Sequence, residues 1–355
     1  MRRFFSSALA LSLVLSLTAC FGPPVDPDTV QESIQVIAMD TPMVISTYGR
    51  RSTGAAYASE DLIRDLEARL SRTEEDSAVS RLNRGETVEP DEDLTTLLRL
   101  AARFRERTGG AFNIGIAPLV SAWGFTTDHN QVPDQSEIDR LLKVVDETAP
   151  QISPEGVSLE PGQSIDLGGI AKGYAADKLA DLFREYEIPR AMAQLGGNVL
   201  AWGDRPDGTP WRVGIQDPAR PGEQNAFAGI LNLKNAFAVT SGGYQRYFEQ
   251  DGKRYHHIID PATGCPADSG LTSVTVVADC VSDDDMGTLC DAFSTALFIM
   301  GEEKALDFWR EWQGVSPSLF GLVLITGDGR VVVTQGLAES FTLDEGSGYT
   351  LEIVS

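Results

Sequence analysis

The chain has 355 residues, 42% of them hydrophobic and 23% charged, with 52 acidic against 29 basic side chains and a formal net charge of −23. This is ordinary globular composition, long enough to bury a large core in one domain or two smaller ones, which excludes a low-complexity or miniature disulfide-stapled chain. The acidity excludes a surface made for nucleic acid or anionic lipid, and any phosphate site must bring its own positive charge from a metal ion or from helix N-termini.

The first twenty residues, MRRFFSSALALSLVLSLTAC, carry two arginines, an apolar run too short to span a membrane, and Leu17 to Cys20 arranged as a bacterial lipobox. They predict a lipoprotein signal peptide over 1–19 and lipidation of Cys20. The chain would then be exported and lipid-anchored to a bacterial membrane, facing away from the cytoplasm. Removing 1–19 takes away two basic residues and no acidic ones, lowering the formal charge to −25. Residues 20–33 are Pro-rich and polar and read as a tether.

A strand is expected at 43–49. Helices are expected at 59–71, with Leu62, Ile63, Leu66 and Leu70 on one face, and at 92–108, stopped by Gly109-Gly110. A further helix begins near Ser136, with Ser136 and Asp139 set as a capping box. Beyond Asp166 come strand candidates at 191–201, 211–216, 227–233, 236–240, 254–260 and 272–278. Helices follow at about 287–300 and 302–313, then a hairpin over 321–336 turning at Gly327-Asp328-Gly329. No repeat and no boundary interrupt 34–355, so the fold class is α/β (α+β): a single mixed domain, mostly antiparallel sheet with flanking helices. Cys265, Cys280 and Cys290 are an odd number with no zinc spacing, and Cys290 falls inside a helix, where a buried structural cysteine is the plain reading.

Three stretches could carry chemistry. IDLGGIAKGYAADKLAD, 165–181, places Asp166 at the end of a short strand, then two glycines, Lys172 and a helix. It is either a tight strand-to-helix turn or a cradle in which helix N–H groups and Lys172 receive a phosphate. LCDAFSTALFIMG, 289–301, puts Asp291, Ser294 and Thr295 on one helical face, oxygen ligands suited to Mg²⁺ or Ca²⁺ or else a locally packed helix start. YHHIIDPATGCP, 255–266, holds His256 and His257, which a strand turns to opposite faces, so they cannot share a metal; one could be a general base.

Together these stretches resemble the ApbE family, the FAD:protein FMN transferases. The likeness is an ordered series: AMDT at 38–41, DSAVSRLN at 76–83, GGAFNIGIAPLVSAWGF at 109–125, DLGGIAKGYAAD at 166–177, QLGGNV at 194–199, then TSGGYQRYF, HHIIDPATG and DAFST. It spans about 39 to 301. The resemblance implies a T-fold-like α/β catalytic domain over 34–355 that takes FAD as substrate and requires Mg²⁺. It would pass FMN to a threonine hydroxyl of a target protein and release AMP. The target would be a membrane redox subunit or an exported flavoprotein with an Asp-Gly-x-Thr-like motif. By the same resemblance, Met39, Ala111, Phe112, Asn113, Asp166, Lys172 and Ile259 would contact FAD. Gly169 would lend a carbonyl to Mg²⁺ beside Asp291, Ser294 and Thr295, and His257 would be the base for the acceptor hydroxyl. Relatives often have Asp where Asn113 stands, Gly where Asp40 stands, and a tyrosine that stacks on adenine near Thr73; the segment before Asp291 is longer than usual. An FAD pyrophosphatase with water as acceptor, and a non-catalytic FAD-binding lipoprotein, are the alternatives; the retained metal frame weighs against the second.

Overall fold

The structure, a computed structural model, describes residues 30–125, 129–281, 285–315 and 320–355. The leader over 1–19, Cys20 and most of the expected tether lie outside the described residues. Among the described residues no helix is long and apolar enough to cross a membrane.

In chain order the elements are β1 (Gln31–Ala38), β2 (Thr41–Tyr48), α1 (Ser52–Leu70), α2 (Ala78–Asn83), α3 (Glu92–Arg107), α4 (Ala117–Ala122), α5 (Gln135–Glu147), β3 (Gln151–Ser153), β4 (Gly156–Ser158) and α6 (Ala171–Glu185). There follow β5 (Arg190–Leu195), β6 (Asn198–Trp202), β7 (Trp211–Gln216), β8 (Phe227–Leu233), β9 (Ala236–Gly242), β10 (Tyr247–Gln250), β11 (Lys253–His256), β12 (Leu271–Asp279), α7 (Met286–Met300), α8 (Glu302–Val315), β13 (Gly321–Thr326), β14 (Arg330–Thr334), β15 (Phe341–Leu343) and β16 (Thr350–Val354).

Nine strands form one sheet in the order β1-β2-β5-β6-β9-β12-β13-β14-β16. Every neighbouring pair is antiparallel except β14 with β16. On one face α1, α6 and α7 build the main core, with Ile45, Ile63, Leu66, Phe104, Phe183, Phe293 and Val276 fully buried. On the other, the small sheet β15-β8-β7 closes a second core through Val213, Ile215, Leu231 and Phe341 against Val323 and Val333. Being covered on both sides explains why β13 and β14 read as unbroken apolar runs rather than alternating ones. A third cluster joins α4 and α5 to Ile259, with Phe248 and Tyr255 stacked beside Trp123.

Several expectations are corrected. The sheet starts at Gln31, so Gln31–Ser33, assigned to the tether, pair with Ser46–Tyr48. Alternation of Ile34, Val36 and Ala38 toward α1 carries this strand, and Gln31, Ser33, Gln35 and the exposed Ile37 make up its outer face. The single strand expected at 191–201 is a hairpin, because Gly196 takes φ +72° at the turn. No capping box closes α5: the helix begins one residue earlier, with Asp134 as N-cap, and Asp139 accepts from the Gln135 side chain at 2.8 Å. The strand at 254–260 ends at His256, where Asp260–Gly264 turns back through the Gly264 N–H to the Asp260 carbonyl, 2.8 Å.

Candidate active site

The site grows from the crossing of α6 and α7. Gly173 and Gly287 let the helices touch: a Cβ on Gly173 would lie 2.3 Å from the Gly287 carbonyl oxygen, and one on Gly287 2.7 Å from the Gly173 carbonyl oxygen. At that distance each helix start is served by a carboxylate from the other. Asp177 of α6 accepts the N–H groups of Gly287 and Thr288, at 2.7 and 2.8 Å, and the Thr288 hydroxyl. Asp291 of α7 accepts the Gly173 N–H at 2.8 Å through Oδ2. These are the orphan donors that every helix N-terminus leaves.

That exchange has a consequence one turn upstream. The Gly173 N–H goes to Asp291 rather than to the Gly169 carbonyl, which keeps no protein partner among the described residues. Thr295 lies one turn beyond Asp291, its Oγ1 3.7 Å from where a Gly169 Cβ would stand. From β9, the Ser241 hydroxyl meets Ser294 Oγ at 2.9 Å and Thr295 Oγ1 at 3.2 Å. The Asp291 carboxylate, the Thr295 hydroxyl and the Gly169 carbonyl are hard oxygen donors with one negative charge between them, a set that fits Mg²⁺ better than zinc. Among the described residues no group of three or more His, Cys, Asp or Glu could hold a metal. An ion here would take its remaining oxygens from water or from a bound ligand.

Asp166 is not at the end of a strand. It sits in an unpaired extended segment fixed from both sides. The Asn83 carboxamide clamps Ile165, accepting its N–H at 2.7 Å and donating to its carbonyl at 2.9 Å, and the Asp166 N–H donates to Ile114 at 2.7 Å. Its carboxylate is held by Arg72 Nη1 at 2.7 Å and by the Gly168 N–H at 2.8 Å; Arg72 also donates to Ser121 at 2.7 Å. Lys172 reaches back over the glycine turn to the Gly168 carbonyl, 3.2 Å. Arg246 donates to the Asp40 carbonyl at 3.0 Å. Arg72, Lys172 and Arg246 line one cleft with Asp40, Asp166 and Asp291, so the cleft is balanced in formal charge within a strongly acidic protein.

His256 and His257 do face opposite ways. His256 bonds the Ala267 carbonyl at 2.9 Å and lies edge-on to Phe298, away from this cleft. His257 lines the cleft, with Nδ1 3.2 Å from the Arg246 carbonyl. A carbonyl can only accept, so Nδ1 carries the hydrogen and Nε2 keeps its lone pair. Burial, with Arg246, His256 and Lys172 adding repulsion, pushes the imidazole down to about 4.

The cleft gathers Ala111, Phe112, Asn113, Asp166, Gly169, Lys172, His257, Ile259, Asp291 and Thr295. Two expected residues stand apart. Met39, at φ +50° in a two-residue turn, packs on the main core and donates its N–H to Glu67 at 2.5 Å; its neighbour Asp40 lines the cleft instead. Ser294 is fully buried behind the wall, donating to the Asp291 carbonyl at 2.9 Å. Asn113 accepts from the Gly115 N–H at 2.9 Å and donates to Val145 at 3.3 Å. An aspartate could not make the second bond, which accounts for the amide here. Sequence reasoning missed Arg72, Arg246 and Asn198. The last two lie in stretches already conspicuous for paired glycines, whereas an arginine just past a helix gives no signal.

A family model described as the ApbE family matches residues 39–318. The chain is 34% identical over 318 residues to a protein of Treponema pallidum named FAD:protein FMN transferase, covering 83% of this chain and 84% of that one. It is 30% identical over 328 residues to a protein of the same name from Haemophilus influenzae, covering 86% and 90%. Its fold superposes on the crystal structure of the ApbE protein of Thermotoga maritima with a TM-score of 0.77 at 30% identity, covering 88% of this chain and 99% of the other.

Proposed function

The chain belongs to the ApbE family, and from that premise we propose that it is an FAD:protein FMN transferase. In this reading it cleaves FAD in a Mg²⁺-dependent reaction, passes FMN to a threonine hydroxyl of a target protein and releases AMP. The observation that carries it is the meeting, in one cleft, of a proton-free His257 Nε2 with the oxygen cluster of Gly169, Asp291 and Thr295.

Asp291, Thr295 and the Gly169 carbonyl would hold Mg²⁺, which when bound neutralises pyrophosphate charge and polarises the phosphoryl group being transferred. Lys172, Arg72 and Arg246 offset the remaining charge and orient the anion. His257 takes the proton of the acceptor threonine at Nε2 as the threonine oxygen bonds to the flavin-side phosphorus. The bond from that phosphorus to the bridging oxygen breaks, and the oxygen leaves with AMP. Phe112 and Ile259 offer apolar surface to the dinucleotide, and Ser294 supports the metal wall from behind through Ser241. The acceptor would carry an Asp-Gly-x-Thr-like motif. Export and anchoring through Cys20 would put it in the same compartment as redox subunits or exported flavoproteins.

The test mixes the purified protein with FAD, Mg²⁺ and a candidate acceptor, follows AMP, and weighs the acceptor. A gain of FMN less one water, abolished by chelator or by Asp291→Ala, is the expected result. FMN and AMP released with the acceptor mass unchanged across a panel of threonine-motif acceptors would replace the transferase with a pyrophosphatase. FAD bound but uncleaved would leave only a carrier.

A further inference from the structure

Asn198 opens β6 directly after the Gly196-Gly197 turn, is 2% exposed and lines the cleft. Its amide nitrogen is buried with no hydrogen-bond partner. Two other asparagines behave differently: Asn83, which holds the segment before Asp166, uses both ends of its carboxamide on Ile165, and Asn113 of the cleft uses both on Gly115 and Val145. A buried asparagine kept for structure is bonded in this way, because an unmet buried donor is destabilising. Leucine or valine would fill the same space without that cost.

The position indicates what the nitrogen meets. Asn198 pairs across the sheet with Val239, two residues before Ser241, and the Thr240 N–H donates to Gly197 at 2.9 Å. Ser241 in turn touches Ser294 and Thr295. Asn198 thus stands near the oxygen cluster that fits Mg²⁺, on the wall formed by β6 and β9, in the cleft that Arg72 and Asp166 also line. A neutral donor there suits an anionic oxygen, to which hydrogen bonds are stronger than to a neutral one.

We propose that the Asn198 carboxamide is a substrate-binding group that donates to an oxygen on the phosphate-bearing part of FAD. The inference rests on the transferase reading of the cleft. Its test is calorimetric titration of FAD with Mg²⁺ into the purified full chain, its Asn198→Ala and its Asn198→Asp variants, with thermal melts in the absence of FAD. Alanine is expected to weaken FAD binding about tenfold or more, the worth of a hydrogen bond to a charged group. Aspartate is expected to weaken it further, by setting a carboxylate against phosphate. The alanine variant without FAD should melt at or above the wild-type temperature, since it loses an unmet donor and no bond. Wild-type affinity in either variant would overturn the proposal, as would an alanine variant that loses affinity only in step with a lowered melting temperature. If the aspartate variant does not fold, the alanine variant decides alone. A wild-type chain that does not bind FAD would overturn the transferase reading itself, a separate failure.

Discussion

The Arg246 carbonyl decides which nitrogen of His257 holds the hydrogen, and burial decides that the ring stays neutral. A base with that history is ready over the whole neutral range, because its conjugate acid forms only near pH 4. The group is held below its ordinary value, so lowering the pH to 6 or 5 should leave kcat/KM untouched by this residue, with an acidic limb only as pH approaches about 4. A limb near 6.5 in kcat/KM would show an exposed, ordinary imidazole. His257→Gln should lower the single-turnover rate of FMN transfer by about 10² to 10⁴, the usual worth of a positioned base, while FAD affinity stays near wild type. An equal loss of affinity would make His257 a binding residue. At this scale the sequence shows which residue types gather, because acids, glycines and hydroxyls stand out in short motifs. It does not show partners that depend on a fold: Arg72 reaches Asp166 across 94 residues, and Asn83 reaches Ile165 across 82.

Helices α6 and α7 show why the glycines of an apparently phosphate-cradling stretch are needed. Gly173 is a contact point with α7, and without it Asp291 would not reach the Gly173 N–H. Gly173→Ala should therefore destabilise the protein by about 1–3 kcal/mol, as overpacking does, and weaken Mg²⁺-dependent FAD binding as the helices part. Gly314→Ala at an exposed position of α8, where a new Cβ meets nothing within 4 Å, should be neutral or slightly stabilising; chemical denaturation of the two variants checks both. The same crossing leaves Asp177 half-buried, and desolvation there outweighs its three donors and raises its carboxyl to about 7. The folded state then binds this proton more tightly than the unfolded chain, whose carboxyl keeps its usual value near 3.8. Stability from this group is full below that value and is lost as pH rises through 7. Asp177→Asn should flatten the difference in melting temperature between pH 4.5 and 7.5; an unchanged slope would mean the carboxylate is ionised throughout. Helices and central strands were legible because their apolar periods are strong. The hairpin hidden in 191–201 and the early start of α5 were not, since a turn inside a mostly apolar run and a cap two residues upstream leave the period unaltered.

Across the whole molecule, the cleft lies where the main core meets the smaller cluster of α4, α5 and Ile259, and where strands distant in sequence come side by side in the sheet. That order of strands is a property of long-range pairing, and local patterns do not encode it; only a mixed, mostly antiparallel sheet could be read in advance. The molecule also sets two fields against each other. Its surface is strongly anionic, −23 over the full chain, whereas the cleft sets three cationic side chains against three carboxylates and is locally balanced. An anionic dinucleotide is repelled at long range and held at short range. Salt screens the long-range part first, since exposed charges beyond about 8–10 Å interact little at physiological ionic strength, while contacts inside the cleft are screened less. The association rate constant for FAD, followed by stopped-flow flavin fluorescence at fixed Mg²⁺, should therefore rise as salt goes from about 10 to 150 mM. The dissociation rate should change less over the same range. A fall in the association rate would mean that Arg72, Lys172 and Arg246 steer the ligand from outside the cleft and that the acidic surface faces away from its mouth.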